Sequence, residues 1–399
     1  MKIASALQYR DYRVYWIGLI GAVLGFQIFQ VAQLWLVYDL TGSYLKLGFV
    51  GASTAIPQIV ISIYGGVISD RVDRRRLLIV THIIQTFLFL MMAALVFLEL
   101  LTFEHLMIFA FLSGILGGLN QPSLQAIIPY LIDRKELMNA VALGSTVWQG
   151  TRIIGPGIGG ILIDTWGPAI CFTVSGIGFA YMVLALKMLR YRPAKSKEVV
   201  GTFVADMVSG LSFIIRSSLF RTLIGLSFFN AFFGLAYIGI LAGFANEHIS
   251  DSGTGFGVLL GATGLGALAG TLVIGSMAGI GRRGWLIIGG SIVCGVVLVL
   301  FSFSRSLVLA MALQAIIGGA NSVSMVPLMT QLQMAVPDHF RGRVMGVFGI
   351  TYSMMPLGSL FMGVLASLFG STIAIASGGV AVVLFSLGLL VKAKDVRNL

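Results

Sequence analysis

Uninterrupted apolar runs of about twenty residues recur from one end of the chain to the other. As helices rising 1.5 Å per residue, each is long enough to cross a hydrocarbon core of about 30 Å. We read twelve such spans, at 14–38, 45–69, 76–99, 105–129, 139–163, 167–189, 220–246, 254–279, 284–303, 306–333, 343–369 and 371–392. Spread over 399 residues, they leave no room for a sizeable soluble domain. Charged residues make up 10% of the chain, against about 25% in soluble proteins, which excludes a large soluble enzyme. The chain reads as an all-α integral membrane protein.

The formal net charge of +11 invites a nucleic-acid reading, but its distribution argues otherwise. With both termini placed in the cytoplasm, only Lys46 and Arg305 of the 26 lysines and arginines fall outside, and Arg152 falls within a span. That asymmetry is the positive-inside rule, and it fits an even number of spans. The acids are shared more evenly, with Asp39, Glu99, Glu104, Asp164, Glu247 and Asp251 outside. The basic excess is therefore an orientation signal, and no nucleic-acid partner is expected. Lys2, Arg10 and Arg13 precede a full-length apolar run with no small-residue cleavage site after it, which reads as a retained first helix. Cys171 and Cys294 sit within spans as small apolar residues rather than disulfide partners.

The longest polar stretch divides the chain near its middle. We expect a six-span half at 1–189, a cytoplasmic linker at 190–219 and a second six-span half at 220–399. The linker opens with Arg190, Arg192, Lys195 and Lys197 around Pro193. Phe203, Val204, Met207, Val208, Leu211, Ile214 and Ile215 then recur at helical spacing, predicting an amphipathic helix on the inner leaflet. The halves repeat each other. Gly117-Gly118-Leu119-Asn120 in span 4 returns as Gly318-Gly319-Ala320-Asn321 in span 10, and Pro156 in span 5 returns as Pro356 in span 11. Internal duplication about an axis along the membrane normal is a transporter plan with substrate bound between the halves.

Glycine accounts for 51 residues, nearly twice its usual share of about 7%. It concentrates in span 8, where Gly257/Gly261 and Gly266/Gly270 have the spacing that lets helix backbones approach in lipid. Gly264, Gly266 and Ala269 also fit a dinucleotide fingerprint, but inside an apolar helix with no preceding strand that match is a decoy.

Between spans 2 and 3 stand Gly66, Asp70, Arg71, Arg74 and Arg75, spaced G-x-x-x-D-R-x-x-R-R. An acid at the membrane boundary can pair with arginines or cap a helix, and such a pairing can break when helices move. A plain basic turn would need only the arginines. The full spacing resembles the loop 2–3 signature of the major facilitator superfamily, which implies the twelve-helix major facilitator fold and an inner-gate role for Asp70 and Arg71. A degenerate copy at Gly275, Gly279 and Arg283 lacks the acid. In span 5, Gly155-Pro156-Gly157-Ile158-Gly159-Gly160 resembles the G-P-x-x-G-G element of exporters in this superfamily, which implies that Gly155, Pro156, Gly159 and Gly160 shape the interface between halves. Gly150, one residue off the expected spacing, makes the antiporter signature partial. The runs Trp35–Ser43 and Val336–Val344 are similar to those of a bacterial branch containing enterobactin-type siderophore exporters and macrolide-efflux proteins.

Arg152 lies 13 residues beyond Asn139 in span 5, about 20 Å into the membrane. There it either faces a wet cavity or is satisfied by groups of neighbouring helices. Gln27, Gln30, Gln33, Asn120, Gln121, Asn230, Phe229, Phe233, Tyr237 and Asn321 lie on spans 1, 4, 7 and 10, which line the cavity in this superfamily. Of these we expect Gln27, Gln30, Asn120, Asn230, Phe233, Tyr237 and Asn321, with Arg152, to contact substrate; the alternative for each amide is interhelical bonding. No Walker A motif, metal-ligand spacing or nucleophile pairing is present, so neither a cofactor nor an enzyme is expected. No acid lies near a span centre, and span 4 lacks the arginine common in proton-coupled exporters. Asp39 and Asp70 are the acids available for proton coupling, which the resemblance implies as the energy source. The expected function is export of a bulky amphipathic molecule (a drug, macrolide or siderophore) across the bacterial inner membrane by a monomer. A lysolipid flippase and a non-transporting receptor on the same fold are the rivals.

Overall fold

A backbone amide in hydrocarbon finds no water, so each apolar run closes its hydrogen bonds within itself as a helix. The computed structural model describes residues 5–190, 211–250, 252–276 and 283–392, without the side chains of 63–71, 338, 339, 341, 342 and 392. Gly66, Asp70 and Arg71 of the loop motif fall in that stretch, so the side-chain contacts of the motif's first three positions lie outside the described residues. Residues 191–210, with the first part of the predicted linker helix, and Gly279 lie outside them entirely, while 211–216 are helical.

No strand occurs among the described residues. The helices are α1 (Arg10–Thr41), α2 (Tyr44–Arg71), α3 (Arg74–Phe97), α4 (Phe103–Ile127), α5 (Leu137–Trp166), α6 (Pro168–Met188) and α7 (Ser218–Phe229). They continue with α8 (Leu241–His248), α9 (Gly253–Ser276), α10 (Arg283–Ser302), α11 (Leu307–Ala335), α12 (Asp338–Ser353), α13 (Met355–Phe369) and α14 (Ser371–Lys392). Among the described residues eleven helical segments are long and apolar enough to cross a membrane. α5 is not one of them: at 30 residues it has the length, but Asn139, Ser145, Gln149 and Arg152 dilute its apolar character.

Two crossings expected to be continuous are broken. Between α7 and α8 the chain forms a π-turn at Asn230–Gly234, closed by Leu235 N–H donating to Asn230 O at 2.9 Å, and then a 3-10 stretch at Ala236–Ile240. Periodicity alone does not report such a change in pitch. Between α12 and α13 the helix is interrupted at Met354, two residues before Pro356, whose ring removes a backbone donor. α5 runs unbroken through the equivalent Pro156.

The chain divides into two units. Unit 1 holds 1–41, 53–200 and 252–257; unit 2 holds 42–52, 201–251 and 258–399. Each unit thus takes in a turn or more of chain from the opposite half of the sequence.

In unit 1, α4 lies directly on α2: a Cβ at Gly114 would stand 2.2 Å from Thr54 O, and one at Gly118 2.9 Å from Gln58 O. In unit 2, α11 lies on α9 in the same manner, with a Cβ at Gly318 standing 2.0 Å from Thr263 O and one at Gly270 2.4 Å from Gly319 O. The repeated Gly-Gly pairs are therefore points of backbone contact in both units. The core of unit 1 is aromatic, with Phe29 against Phe89 at 4.6 Å between ring centroids and Phe89 edge-on to Phe179. At one end of unit 2, Ile214, Leu223, Ile288, Leu328 and Val344 form a buried cluster.

One-residue turns join α5 to α6 and α13 to α14. They are Gly167, at φ 82° and ψ 168°, and Gly370, at φ 88° and ψ 154°. That region is open essentially to glycine alone, and other residues there cost about 1–3 kcal/mol. Gly167→Ala and Gly370→Ala are each expected to lower the melting temperature of the purified protein, whereas Gly144→Ala, where an added Cβ meets nothing within 4 Å, leaves it nearly unchanged.

Candidate functional site

The turn after α2 is built by capping. Asp73 accepts from the Arg75 and Arg76 amides at 2.9 and 3.3 Å and so starts α3. Arg75 then reaches the C-terminus of α6, its Nε donating to Leu186 O at 2.7 Å and its Nη2 to Lys187 O at 2.6 Å. Cations there satisfy carbonyls that the helix end leaves open. Arg74 lies over the Tyr130 ring at 5.2 Å. In the structure Arg75 and Arg74 thus join α3 to α6 and to the segment after α4, and Asp73, which the motif omits, is the capping acid.

On the same face of unit 1, α1 is tied to its neighbours by a ladder of ring donors. Tyr9 donates to Asp133 at 2.7 Å, Tyr12 to Ala140 O at 2.6 Å, Tyr15 to Leu124 O at 3.0 Å and Trp16 to Leu143 O at 3.0 Å. Glu136 accepts from Ser5, and from Asn139 at 2.6 Å. These bonds favour its charged form and hold its carboxyl below the ordinary range, while the bond to Asp133 raises the Tyr9 phenol.

The interface element in α5 faces two helices. Gly155 and Gly159 meet α1: a Cβ at Gly155 would stand 2.7 Å from Gln27 Cβ, and one at Gly159 3.3 Å from Val31 Cβ. Pro156 and Gly160 meet the first turn of α9, where a Cβ at Gly257 would stand 2.3 Å from Pro156 O and one at Gly160 2.2 Å from Gly253 O. Toward the N-terminal end of α5 the same face carries Ser145, Gln149 and Arg152, all exposed. Among the described residues Arg152 makes no hydrogen bond or ion pair. An arginine at this depth normally faces the bundle interior or a wet cavity.

The amides of unit 1 separate by environment. Gln30 is exposed, whereas Gln27 is buried against Gly155. Asn120 is buried and accepts from Thr81 on α3, a bond of the interhelical kind. Asp39 is exposed at the end of α1.

In unit 2 the broken crossing gathers the remaining predicted residues. Asn321 on α11 donates to the Asn230 side chain at 2.6 Å, within the π-turn. Tyr237 is fully buried and donates to Gln314 Oε1 at 2.6 Å; Thr263 donates to the same oxygen at 2.7 Å. The structure thus makes Tyr237 a brace of the 3-10 stretch. Its partner is Gln314, not among the residues expected at the site, whose one sequence signal is an amide within an apolar helix. Phe233 is half-buried in a run of rings: Phe229 stacks on Phe385 at 3.8 Å, Phe229 lies 5.3 Å from Phe233, and Phe233 meets Phe361 edge-on at 6.1 Å. Half-buried rings beside amides offer apolar area with a few polar anchors, the usual make-up of a small-molecule site. No group of three or more His, Cys, Asp or Glu residues able to hold a metal occurs among the described residues.

Membrane-length helices, duplicated glycine packing and polar groups on a few apolar helices define a polytopic membrane protein built from two related halves. The model of the family described as transmembrane secretion effector matches residues 3–398. The chain belongs to that family, within the major facilitator superfamily. It is 27% identical over 354 residues to the multidrug efflux pump Tap of Mycolicibacterium fortuitum, covering 85% of each chain. It is 22% identical to the enterobactin exporter EntS of Escherichia coli, covering 96% of this chain and 89% of that one. Among solved structures, the nucleoside transporter NupG has the same fold, with a TM-score of 0.76 at 13% identity over 96% of this chain and all of the other. The protein is a multi-pass membrane transporter and not an enzyme.

Proposed function

We propose that the protein exports a bulky amphipathic small molecule from the bacterial cytoplasm by alternating access, exchanging it for protons. The observation that carries this reading is the broken crossing of unit 2, where half-buried phenylalanines stand beside the Asn230–Asn321 pair. Such a surface suits an extended ring system with a few polar groups better than an ion or a small sugar. Relatives named as a multidrug pump and an enterobactin exporter support the same direction and class. On unit 1 we assign Gln30 and Arg152 to substrate, and on unit 2 Asn230, Phe233 and Asn321; Gln27, Asn120 and Tyr237, expected from the sequence to contact it, hold the helices around the site through their own packing and bonds. Asp70 and Arg71 hold the inner gate, and Asp39 and Asp70 are the acids assigned to coupling. Both termini and the linker face the cytoplasm, as the basic residues direct, and the monomer is the working unit.

Inside-out vesicles energised by a pH gradient test this with a pH-sensitive dye. Adding macrolides, catecholate siderophores, cationic dyes and lysolipids in turn is expected to give substrate-dependent proton release for one of the first three, lost in Asp70→Asn at equal expression. A response to lysolipids alone supports a flippase instead. No response to any of them from well-folded protein overturns the reading.

A further inference from the structure

We propose that Asp164 is a latch, holding the first turn of α9 against the end of α5 and releasing it in each transport cycle. This rests on the alternating-access reading above. Asp164 takes two backbone donors at once, Gly253 N–H at 2.7 Å on one carboxylate oxygen and Thr254 N–H at 2.8 Å on the other. An α-helix leaves its first amides without partners of its own, and a carboxylate there also meets the positive end of the helix dipole. The third amide, Gly255 N–H, goes to Ser252 Oγ at 2.9 Å. Among the described residues, the two bonds to Asp164 are the hydrogen bonds that join α5 to α9.

The surface beneath the latch is shaped for separation. At Gly160 over Gly253 and Gly257 over Pro156 the two backbones touch directly. Apart from Ile163, whose side chain packs on Gly253, these contacts are backbone on backbone, so parting the helices disturbs little side-chain packing. Asp164 itself is exposed. Water can therefore replace the two amides once the helices part, which keeps the fastening reversible.

The internal duplication shows that this fastening is particular to the first copy. In unit 2, α13 meets the first turn of α2 across an equivalent seam: a Cβ at Gly48 would stand 2.7 Å from Leu360 Cα, and one at Gly363 2.6 Å from Tyr44 O. Counted from Pro356 as Asp164 is from Pro156, the residue there is Val364, which has no acceptor in its side chain. Tyr44, in the first turn of α2, donates its hydroxyl to Glu247 on α8 at 2.6 Å rather than to α13.

The test uses the full chain with Gln149→Cys as reporter, because Gln149 is exposed on α5 while Cys171 and Cys294 are fully buried. A membrane-impermeant maleimide is applied to the face on which α5 ends. Asp164→Ala is expected to raise the labelling rate at least fivefold over the Asp164 protein, and Asp164→Asn, which keeps one acceptor, to raise it less. If the rate is unchanged in both variants while substrate raises it in the Asp164 protein, the latch is refuted and alternating access stands. If the reporter thiol is never labelled from that face, with or without substrate, alternating access fails and the latch with it.

Discussion

Gly266→Leu is expected to abolish the folded protein, leaving no monodisperse peak on size exclusion in detergent and no transport. A Cβ at this position would stand 1.8 Å from Ala315 O, 2.5 Å from Ala315 C and 2.7 Å from Ala315 Cα. These are backbone atoms of the facing helix, so no rotamer change gives relief and α11 must move bodily. The approach is fixed from the other side too, where a Cβ at Gly318 would meet Thr263 O at 2.0 Å. Overpacking against movable side chains typically costs about 1–3 kcal/mol; against backbone the cost lies at or above the top of that range. Gly289→Leu is the control, since an added Cβ there meets nothing within 4 Å. Equal yield and melting temperature for the two variants would show that the α9–α11 contact does not set the fold.

Arg152→Ala is expected to keep its yield and lose transport of anionic substrates by about 10- to 100-fold, chiefly through KM. Arg152 lies midway along α5, exposed and without a partner among the described residues, so removing it strands no acceptor among them. A hydrogen bond to a charged group contributes about 1.5–3 kcal/mol, and each 1.4 kcal/mol is tenfold. Arg152→Lys should recover part of the loss, because a point charge replaces a fork of donors. Neutral and cationic substrates should be little affected. An equal loss for every substrate, with a lower melting temperature, would make Arg152 structural.

The polar residues show how far sequence reaches into the site. Gln27, Gln30 and Asn120 look alike as amides on apolar spans, yet the structure exposes Gln30, packs Gln27 on Gly155 and bonds Asn120 to Thr81. Spacing places each on a helix but leaves the helix's rotation about its axis open, and that rotation decides between cavity, seam and core. Asp164 was legible as an acid at the end of a span. Its role needed the first amides of α9, 89 and 90 residues away in sequence.

Membrane insertion, the span pattern and the duplicated plan followed from the sequence by itself. Hydrophobic length and the demand that backbone amides bond within their own segment are local properties, which a run of residues carries wherever it packs. The break at Asn230–Gly234, the pairing of Tyr237 with Gln314 and the glycine seams were decided by tertiary structure. Each depends on which atoms of a distant helix come within about 3 Å, the reach of a hydrogen bond, and no local pattern encodes that distance.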